Sequence, residues 1–134
     1  MIRYALTLCL MLASAPALAA DRPMTAAEFE AHTTGKTFFY GNGTAPYGAE
    51  EYLENRRVRW SFLDGECKEG RWFTDESGLI CFVYEDRPDP QCWSFLDGPT
   101  GLTARYENDP QATELYEVRK SREPLECPGP RIGV

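Results

Sequence analysis

Positive charge is scarce in this chain. Fourteen lysine and arginine residues stand against 21 aspartate and glutamate residues, which gives a formal net charge of −7 over 134 residues. Proteins that bind nucleic acid through its phosphate backbone need a basic face, so the charge balance argues against that function. With 43% hydrophobic and 26% charged residues, the composition is that of a folded globular protein rather than a disordered one.

Residues that commonly carry enzyme chemistry are also few. His32 is the single histidine, and its place near the end of a predicted helix suits a solvated side chain that complements the helix dipole. The sequence has no C-x-x-C pair, no G-x-S-x-G nucleophile elbow and no glycine-rich phosphate loop with a lysine. We therefore predict no catalytic residues, no metal ligands and no cofactor.

Long hydrophobic runs are absent apart from one near the start, residues 5–13. That run is too short to span a bilayer as a permanent helix. Arg3 precedes it, and Ala17-Leu18-Ala19 follows with the small-x-small pattern that signal peptidase reads. We expect residues 1–19 to be a signal peptide cleaved near Ala19. Residues 20–134 would then form a single β-rich exported domain, periplasmic or secreted, without a membrane span.

Four cysteines remain after that cleavage: Cys67, Cys81, Cys92 and Cys127. In a small exported domain such an even number indicates disulfides, although three pairings are possible. If the segments on either side of residues 85–90 pair as strands, Cys81 faces Cys92 within disulfide reach. This register predicts Cys81–Cys92 and Cys67–Cys127, the second tying the C-terminal tail to the body. Zinc binding is the alternative, for which the ligand spacing is wrong.

The pattern along the exported part indicates an all-β fold. Thr25 to Glu28 form a capping box, which predicts a short helix over about 25–34 that ends at Gly35. From about residue 37 to 119, aromatic and β-branched segments alternate with turn residues. The predicted strands are 37–40, 49–53, 57–63, 68–74, 79–84, 92–96, 102–106 and 114–119. We expect a mainly antiparallel meander of about 6–8 strands, as a small barrel or curled sheet with one short N-terminal helix.

Aromatic side chains are frequent in these strands. The hexapeptide Trp60–Gly65 recurs as Trp93–Gly98, which indicates either a duplication or two strands with inward aromatic residues and Asp-Gly turns. A barrel of about eight strands has room for side chains or for one small ligand, and inward aromatic residues suit both an open and a filled barrel. The candidate ligand-lining residues are Trp60, Trp72, Trp93, Phe62 and Phe95.

Positive charge is concentrated around Arg57 and Arg59, which share one face of a predicted strand. These two residues are the candidates for contact with an anionic ligand or partner. The alternative is that they pair with acidic side chains on neighbouring strands.

The mature part of the chain resembles a group of small exported proteobacterial proteins of unknown function. The resemblance rests on Met24–Phe29, on Tyr52 to Trp60, on Cys67-x-x-Gly70-x-Trp72, on Leu79-Ile80-Cys81-Phe82-x-Tyr84, and on Cys92-Trp93. It implies a disulfide-bonded, lipocalin-like β domain. It implies no activity and no catalytic residues.

Two classes of function fit the sequence. The first is a non-catalytic binding or accessory module whose barrel mouth takes a small apolar ligand or a side chain of an envelope protein. The second is an enzyme that uses paired Asp and Glu side chains on cell-envelope material, which requires two carboxyl groups facing each other across a cleft. A filled barrel that acts through its outer surface, as an inhibitor or assembly factor, is a further alternative. The lack of a recognisable catalytic motif favours the binding module.

Overall fold

The structure is a computed structural model that describes residues 22–109 and 111–129. The predicted signal peptide and its cleavage site near Ala19 lie outside the described residues. One helix, α1 (Ala26–Thr33), precedes eight strands, and a 3-10 turn (Glu54–Arg56) lies between the second and third. The strands are β1 (Lys36–Gly41), β2 (Gly48–Tyr52), β3 (Arg57–Ser61), β4 (Lys68–Thr74), β5 (Ile80–Tyr84), β6 (Arg87–Gly98), β7 (Gly101–Tyr106) and β8 (Leu115–Ser121).

The strands form a closed antiparallel barrel in chain order. Each strand pairs with the next, and β8 closes the sheet on β1 with Phe38 opposite Lys120. This confirms the predicted all-β meander with one short helix, and it selects the barrel over the open curled sheet. Closure removes the two open ends of the sheet, so unpaired edges remain only in segments such as the start of β6, within the described part of the chain.

Successive strands run in opposite directions, so the connections fall at two ends of the barrel. The connections β1–β2, β3–β4, β5–β6 and β7–β8 lie at one end, which we call the mouth. Helix α1, the 3-10 turn and the remaining connections lie at the other end, which we call the floor.

Phe29 of α1 closes the floor. The capping box holds the start of the helix: the Thr25 hydroxyl accepts from the Glu28 N–H at 3.2 Å, and the Glu28 carboxylate accepts from the Thr25 N–H at 2.8 Å. Phe29 is fully buried, and its ring centroid lies 4.5 Å from that of Phe95 and 5.5 Å from that of Tyr52. Such aromatic contacts supply burial and favourable ring geometry together, so the helix is anchored as a plug.

The C-terminal tail, residues 122–129, covers the outside of β1 and β2. The Leu125 N–H donates to Glu51 Oε2 at 3.1 Å, and the Thr37 hydroxyl donates to the Glu123 carbonyl at 2.8 Å. Cys127 pairs with Cys67, their Cα atoms 5.5 Å apart. Because the barrel interior covers one face and the tail the other, β2 is buried along its whole length.

The second disulfide joins directly opposed residues of β5 and β6. Cys81 faces Cys92 with their Cα atoms 4.0 Å apart, so both predicted pairings are confirmed. The predicted loop over residues 85–90 was too long, because the turn is confined to Glu85-Asp86 and β6 begins at Arg87. Pro88 and Pro90 are tolerated inside a strand because β6 pairs with β7 only from Trp93 onward, which leaves one side of that segment without a partner strand.

Candidate functional site

The mouth leads into a cavity of about 340 Å³. Aromatic side chains from six strands form its walls: Tyr40 of β1, Tyr52 of β2, Trp60 of β3, Phe82 and Tyr84 of β5, Trp93 and Phe95 of β6, and Tyr106 of β7. The volume falls in the usual range of small-molecule sites, about 300–1,000 Å³. The barrel is therefore open at one end, a point that the sequence left undecided.

Three aromatic residues cluster at the mouth. The Phe62 ring lies edge-on to Tyr47 and Trp60, with centroid distances of 5.6 and 5.4 Å. Tyr47 is 54% exposed and Phe62 51% exposed, so the cluster is apolar surface in contact with solvent. Gly48 lies against the Trp60 indole, and a Cβ atom at that position would overlap the ring. A glycine in the strand thus makes room for an aromatic side chain inside the barrel.

A buried carboxyl group, that of Glu50, lies in the cavity wall. Glu50 is at the centre of β2 and is 2% exposed. The Tyr84 hydroxyl donates to its Oε1 at 2.8 Å, whereas its Oε2 is buried without a hydrogen-bond partner among the described residues. Burial raises the pKa of Glu50 well above its usual value, and the hydrogen bond from Tyr84 opposes this shift. The proton is therefore held far more tightly than in an exposed glutamate.

Two further tyrosines add polar atoms to the cavity. The hydroxyls of Tyr40 and Tyr52 lie 3.0 Å apart and share a hydrogen bond. Burial raises the pKa of Tyr52 and of Tyr40, and it also raises the pKa of Tyr84. All three hydroxyls therefore stay protonated at neutral pH. The cavity combines apolar walls with a few fixed polar groups, which is the usual make-up of a ligand site.

The charged side chains that line the cavity, Lys68, Asp86 and Arg87, lie around the mouth. Lys68 at the start of β4 lies 3.7 Å from the carboxylate of Asp86 in the β5–β6 turn. Arg87, which also lines the cavity, follows that turn and is exposed. Glu50 bonds to Tyr84 and Asp86 to Lys68, so these two cavity-lining carboxyl groups face different partners. Neither contact joins the two carboxyl groups to each other, so the contacts of the described lining residues give no support to the enzyme hypothesis.

Four of the five aromatic residues singled out from the sequence line the cavity: Trp60, Phe62, Trp93 and Phe95. Trp72 is not among the lining residues. Its ring centroid is 5.3 Å from that of Phe29, and the Arg56 guanidinium lies 4.3 Å from the ring centroid. Trp72 belongs to the packing of the floor because its half of β4 lies beside α1.

The two copies of the repeated hexapeptide run in opposite directions relative to the mouth. Trp60 lies near the end of β3, which runs toward the mouth, so Phe62 emerges into solvent. Trp93 lies in β6, which runs toward the floor, so Phe95 is buried at 3% exposure against Phe29. The identical residues of the two copies therefore occupy different positions in the barrel. This agrees with two separate strands that carry inward aromatic residues.

Arg57 and Arg59 lie on the outer face of β3, away from the cavity. Arg59 forms an ion pair with Glu51 at 2.7 Å and lies 3.9 Å from Glu69, and Arg57 lies 4.0 Å from Glu69. The arrangement matches the alternative of pairing across neighbouring strands. His32 differs from the solvated residue that we expected: it is half-buried at the floor, 5.7 Å from the Phe38 ring centroid.

The sequence did not single out Glu50, Tyr40, Tyr52 or Tyr84 as site residues. One signal was available, because Glu50 and Glu51 are adjacent in a predicted strand and successive side chains of a strand point to opposite faces. In a barrel one of the two carboxyl groups must therefore point inward. The tyrosines carry no such signal, because an aromatic residue in a strand suits a filled core equally well.

One group of potential metal ligands occurs in the described part of the chain, formed by Asp75, Cys81 and Cys92. Both sulfur atoms belong to the Cys81–Cys92 disulfide, so neither is a free thiolate that could bind a metal. Among residues 22–109 and 111–129, no helix has the length and apolar character needed to cross a membrane.

Comparison of the chain with protein-family models finds no matching family. Comparisons with curated proteins and with solved structures find no match either. The resemblance to small exported proteobacterial proteins therefore stays a prediction.

Proposed function

We propose that the protein is a non-catalytic binding module that holds a small, largely apolar ligand in its barrel. The observation that carries this proposal is the cavity of about 340 Å³, open at the mouth and walled by aromatic rings. Phe29 closes the opposite end, so the space is a cup rather than a channel. We also propose that the protein acts in the periplasm or outside the cell, because its two disulfides suit an oxidising compartment.

The aromatic cluster at the mouth supports ligand entry at that end. Tyr47 and Phe62 are more than half exposed, although apolar rings at a protein surface gain from being covered. They lie beside Trp60, which lines the cavity itself. An entering ligand would therefore meet a continuous apolar surface from solvent to the interior.

Blocking the cavity from within tests this function. Ala104 of β7 is 3% exposed and lines the cavity, so Ala104→Phe fills the space where a ligand would lie. Thr103 is its neighbour on the outer face of β7, and Thr103→Phe is the matched control. The probe is N-phenyl-1-naphthylamine, a neutral dye that fluoresces when it leaves water.

We expect the dye to bind the unaltered protein and Thr103→Phe with similar affinity, and Ala104→Phe to lose at least about tenfold, which corresponds to about 1.4 kcal/mol of binding free energy. Near-UV circular dichroism and a thermal melt check that both variants are folded, since overpacking a core carries a penalty of its own. Trp93→Ala, which removes one wall without adding volume, provides a second variant and should weaken binding. Equal dye binding by all four proteins would refute the cavity as the site.

A further inference from the structure

We propose that the ligand is a small organic cation whose amine or ammonium group binds at Glu50 while its apolar body lies against the aromatic walls. This inference rests on the proposed ligand-binding function and names the chemical class of the ligand.

One oxygen of the Glu50 carboxyl group has no partner among the described residues. Its Oε1 accepts from Tyr84, but its Oε2 is buried with no partner among the described residues while the side chain lines the cavity. Buried polar atoms are nearly always hydrogen-bonded in folded proteins, so an exception inside an open cavity marks a place for a ligand atom. An ammonium group on the ligand that replaces the proton of Glu50 would donate to this oxygen and complete the hydrogen bonding of the carboxylate.

Aromatic rings surround this carboxyl group. Trp60 lies directly opposite Glu50 in the β2–β3 pairing, so the two side chains are neighbours on the inner face. Tyr84 touches the carboxyl group, and Tyr40 and Tyr52 line the same cavity. The faces of tyrosine and tryptophan rings carry partial negative charge and attract cations, including ammonium groups. A carboxyl group within such rings favours a positive ligand over a neutral or negative one.

Glu50 has no cationic partner among the described lining residues. Lys68 and Arg87 are the lining cations, and both are placed around the mouth, where Lys68 already pairs with Asp86. The position of the counter-ion is thus open for a ligand. The formal net charge of −7 also raises the local concentration of small cations around the protein.

Cation binding changes the proton balance of the site. In the free protein, burial favours the protonated Glu50, because the neighbouring groups are the neutral hydroxyls of Tyr40, Tyr52 and Tyr84. The other charges near these tyrosines are those of Arg87, near Tyr84, and Glu117, near Tyr40. An ammonium ion at Glu50 favours the carboxylate. The reaction is therefore protonated Glu50 plus free cation giving an ion pair plus one proton released to solvent.

Isothermal titration calorimetry with two matched indoles tests the proposal. Tryptamine is a cation at pH 7, and 3-ethylindole has nearly the same shape without the charge. We expect tryptamine to bind at least about tenfold more tightly, because a desolvated cation gains from both the carboxylate and the ring faces. Titrations in phosphate and in Tris, which differ in ionisation enthalpy, should show a net release of protons when tryptamine binds.

Glu50→Gln keeps the shape of the side chain and removes its charge. We expect this variant to lose about tenfold or more in tryptamine affinity, to release no proton, and to bind 3-ethylindole as the unaltered protein does. Glu69→Gln removes one charge from the exposed outer face and should leave both affinities unchanged. Tyr84→Phe, which removes the hydrogen bond to Oε1 and keeps the ring, is the second variant of the site and should weaken tryptamine binding less than Glu50→Gln.

The outcomes separate this inference from the function on which it rests. If 3-ethylindole binds as tightly as tryptamine, or if Glu50→Gln leaves the affinity for tryptamine unchanged, the cation proposal is overturned while the cavity remains a ligand site. Binding of tryptamine without proton release would overturn it as well. If neither indole nor the neutral dye binds the folded protein, both the inference and the proposed function are wrong.

Discussion

Glu50→Gln should stabilise the free protein, and increasingly so as the pH rises. The pKa of Glu50 is raised by burial in the folded state, whereas an unfolded glutamate titrates near pH 4.3. The folded protein therefore holds this proton more tightly than the unfolded chain does, and unfolding releases it. Raising the pH favours release, so Glu50 lowers the free energy of unfolding between its unfolded and its folded pKa. Below about pH 4 the proton is bound in both states and the effect vanishes.

The magnitude follows from this linkage. Each pH unit between the two pKa values changes the free energy of unfolding by about 1.4 kcal/mol. The net stability of a small domain is typically about 5–15 kcal/mol, so a dependence of this size on pH is readily measured. Glutamine reproduces the protonated acid in shape and can still accept the Tyr84 hydroxyl at its Oε1 position. The variant and the unaltered protein should therefore be about equally stable at pH 4 and should diverge above it.

Urea unfolding at pH 4, 5, 6 and 7, with both disulfides intact, measures the difference directly. Glu51→Gln is the matched control on the same strand, because it also replaces a buried carboxyl group by an amide but on the outer face. Glu51 pairs with Arg59 at 2.7 Å and accepts from Leu125, so this change should destabilise the protein at pH 7 by about 2 kcal/mol. The two neighbouring substitutions should thus have opposite signs. A constant difference between Glu50→Gln and the unaltered protein at all four pH values would refute the reasoning.

Two predictions concern the parts that hold the barrel together. Phe29→Ala should lower the free energy of unfolding by about 3–5 kcal/mol, measured by urea titration. The reason is that the substitution removes from the floor a fully buried ring that contacts Tyr52, Trp72 and Phe95. A loss below about 1 kcal/mol would contradict the role of Phe29 as a plug. Replacing both Cys67 and Cys127 by serine should lower the free energy of unfolding by about 4 kcal/mol. Replacing both Cys81 and Cys92 should lower it by about 3 kcal/mol. The first loss is larger because the first disulfide joins residues 60 positions apart and the second joins residues 11 positions apart. Hydrogen exchange should show faster exchange at Leu125 in the first pair of substitutions and not in the second, since that amide bonds to Glu51 across the tail.

The strand pattern and the disulfide pairing could be predicted because they depend on local signals. Turn residues such as Asp75 to Gly78 interrupt aromatic and β-branched runs at regular intervals, and these interruptions locate strand ends to within a few residues. The opposed cysteines of β5 and β6 required only an antiparallel register. Residues 85–90 were misassigned because proline normally ends a strand. The start of β6 tolerates proline because it lacks a partner strand on one side, and this depends on the tertiary structure, which the local sequence does not show.

The candidate site was less predictable from the sequence. Its make-up depends on how far each side chain lies from the mouth, and the alternation of inner and outer residues along a strand does not give that distance. The inner face of each strand can be read from its alternation, but its position between mouth and floor depends on the strand direction and on where the helix packs. Trp72 and Trp60 look alike in sequence, yet Phe29 covers the first and the second opens to the cavity. Phe62 and Phe95 occupy the same place in a repeated hexapeptide and differ in exposure from 51% to 3%.

The distribution of stabilising and destabilising features also points to the mouth as the functional end. The plug of Phe29 lies at the floor, and the covering tail and its disulfide lie outside the wall. Several features that reduce stability lie on the cavity side: the unpartnered Oε2 of Glu50 and the exposed rings of Tyr47 and Phe62. At the floor, the His32 Nε2 is also buried without a partner among the described residues. An unsatisfied buried polar atom lowers stability by about 1–3 kcal/mol, and an apolar side chain filling the same space would avoid that loss. Local departures from the rules of stable packing are expected at functional sites. The features in and around the cavity therefore support the proposal that it is kept open for a ligand.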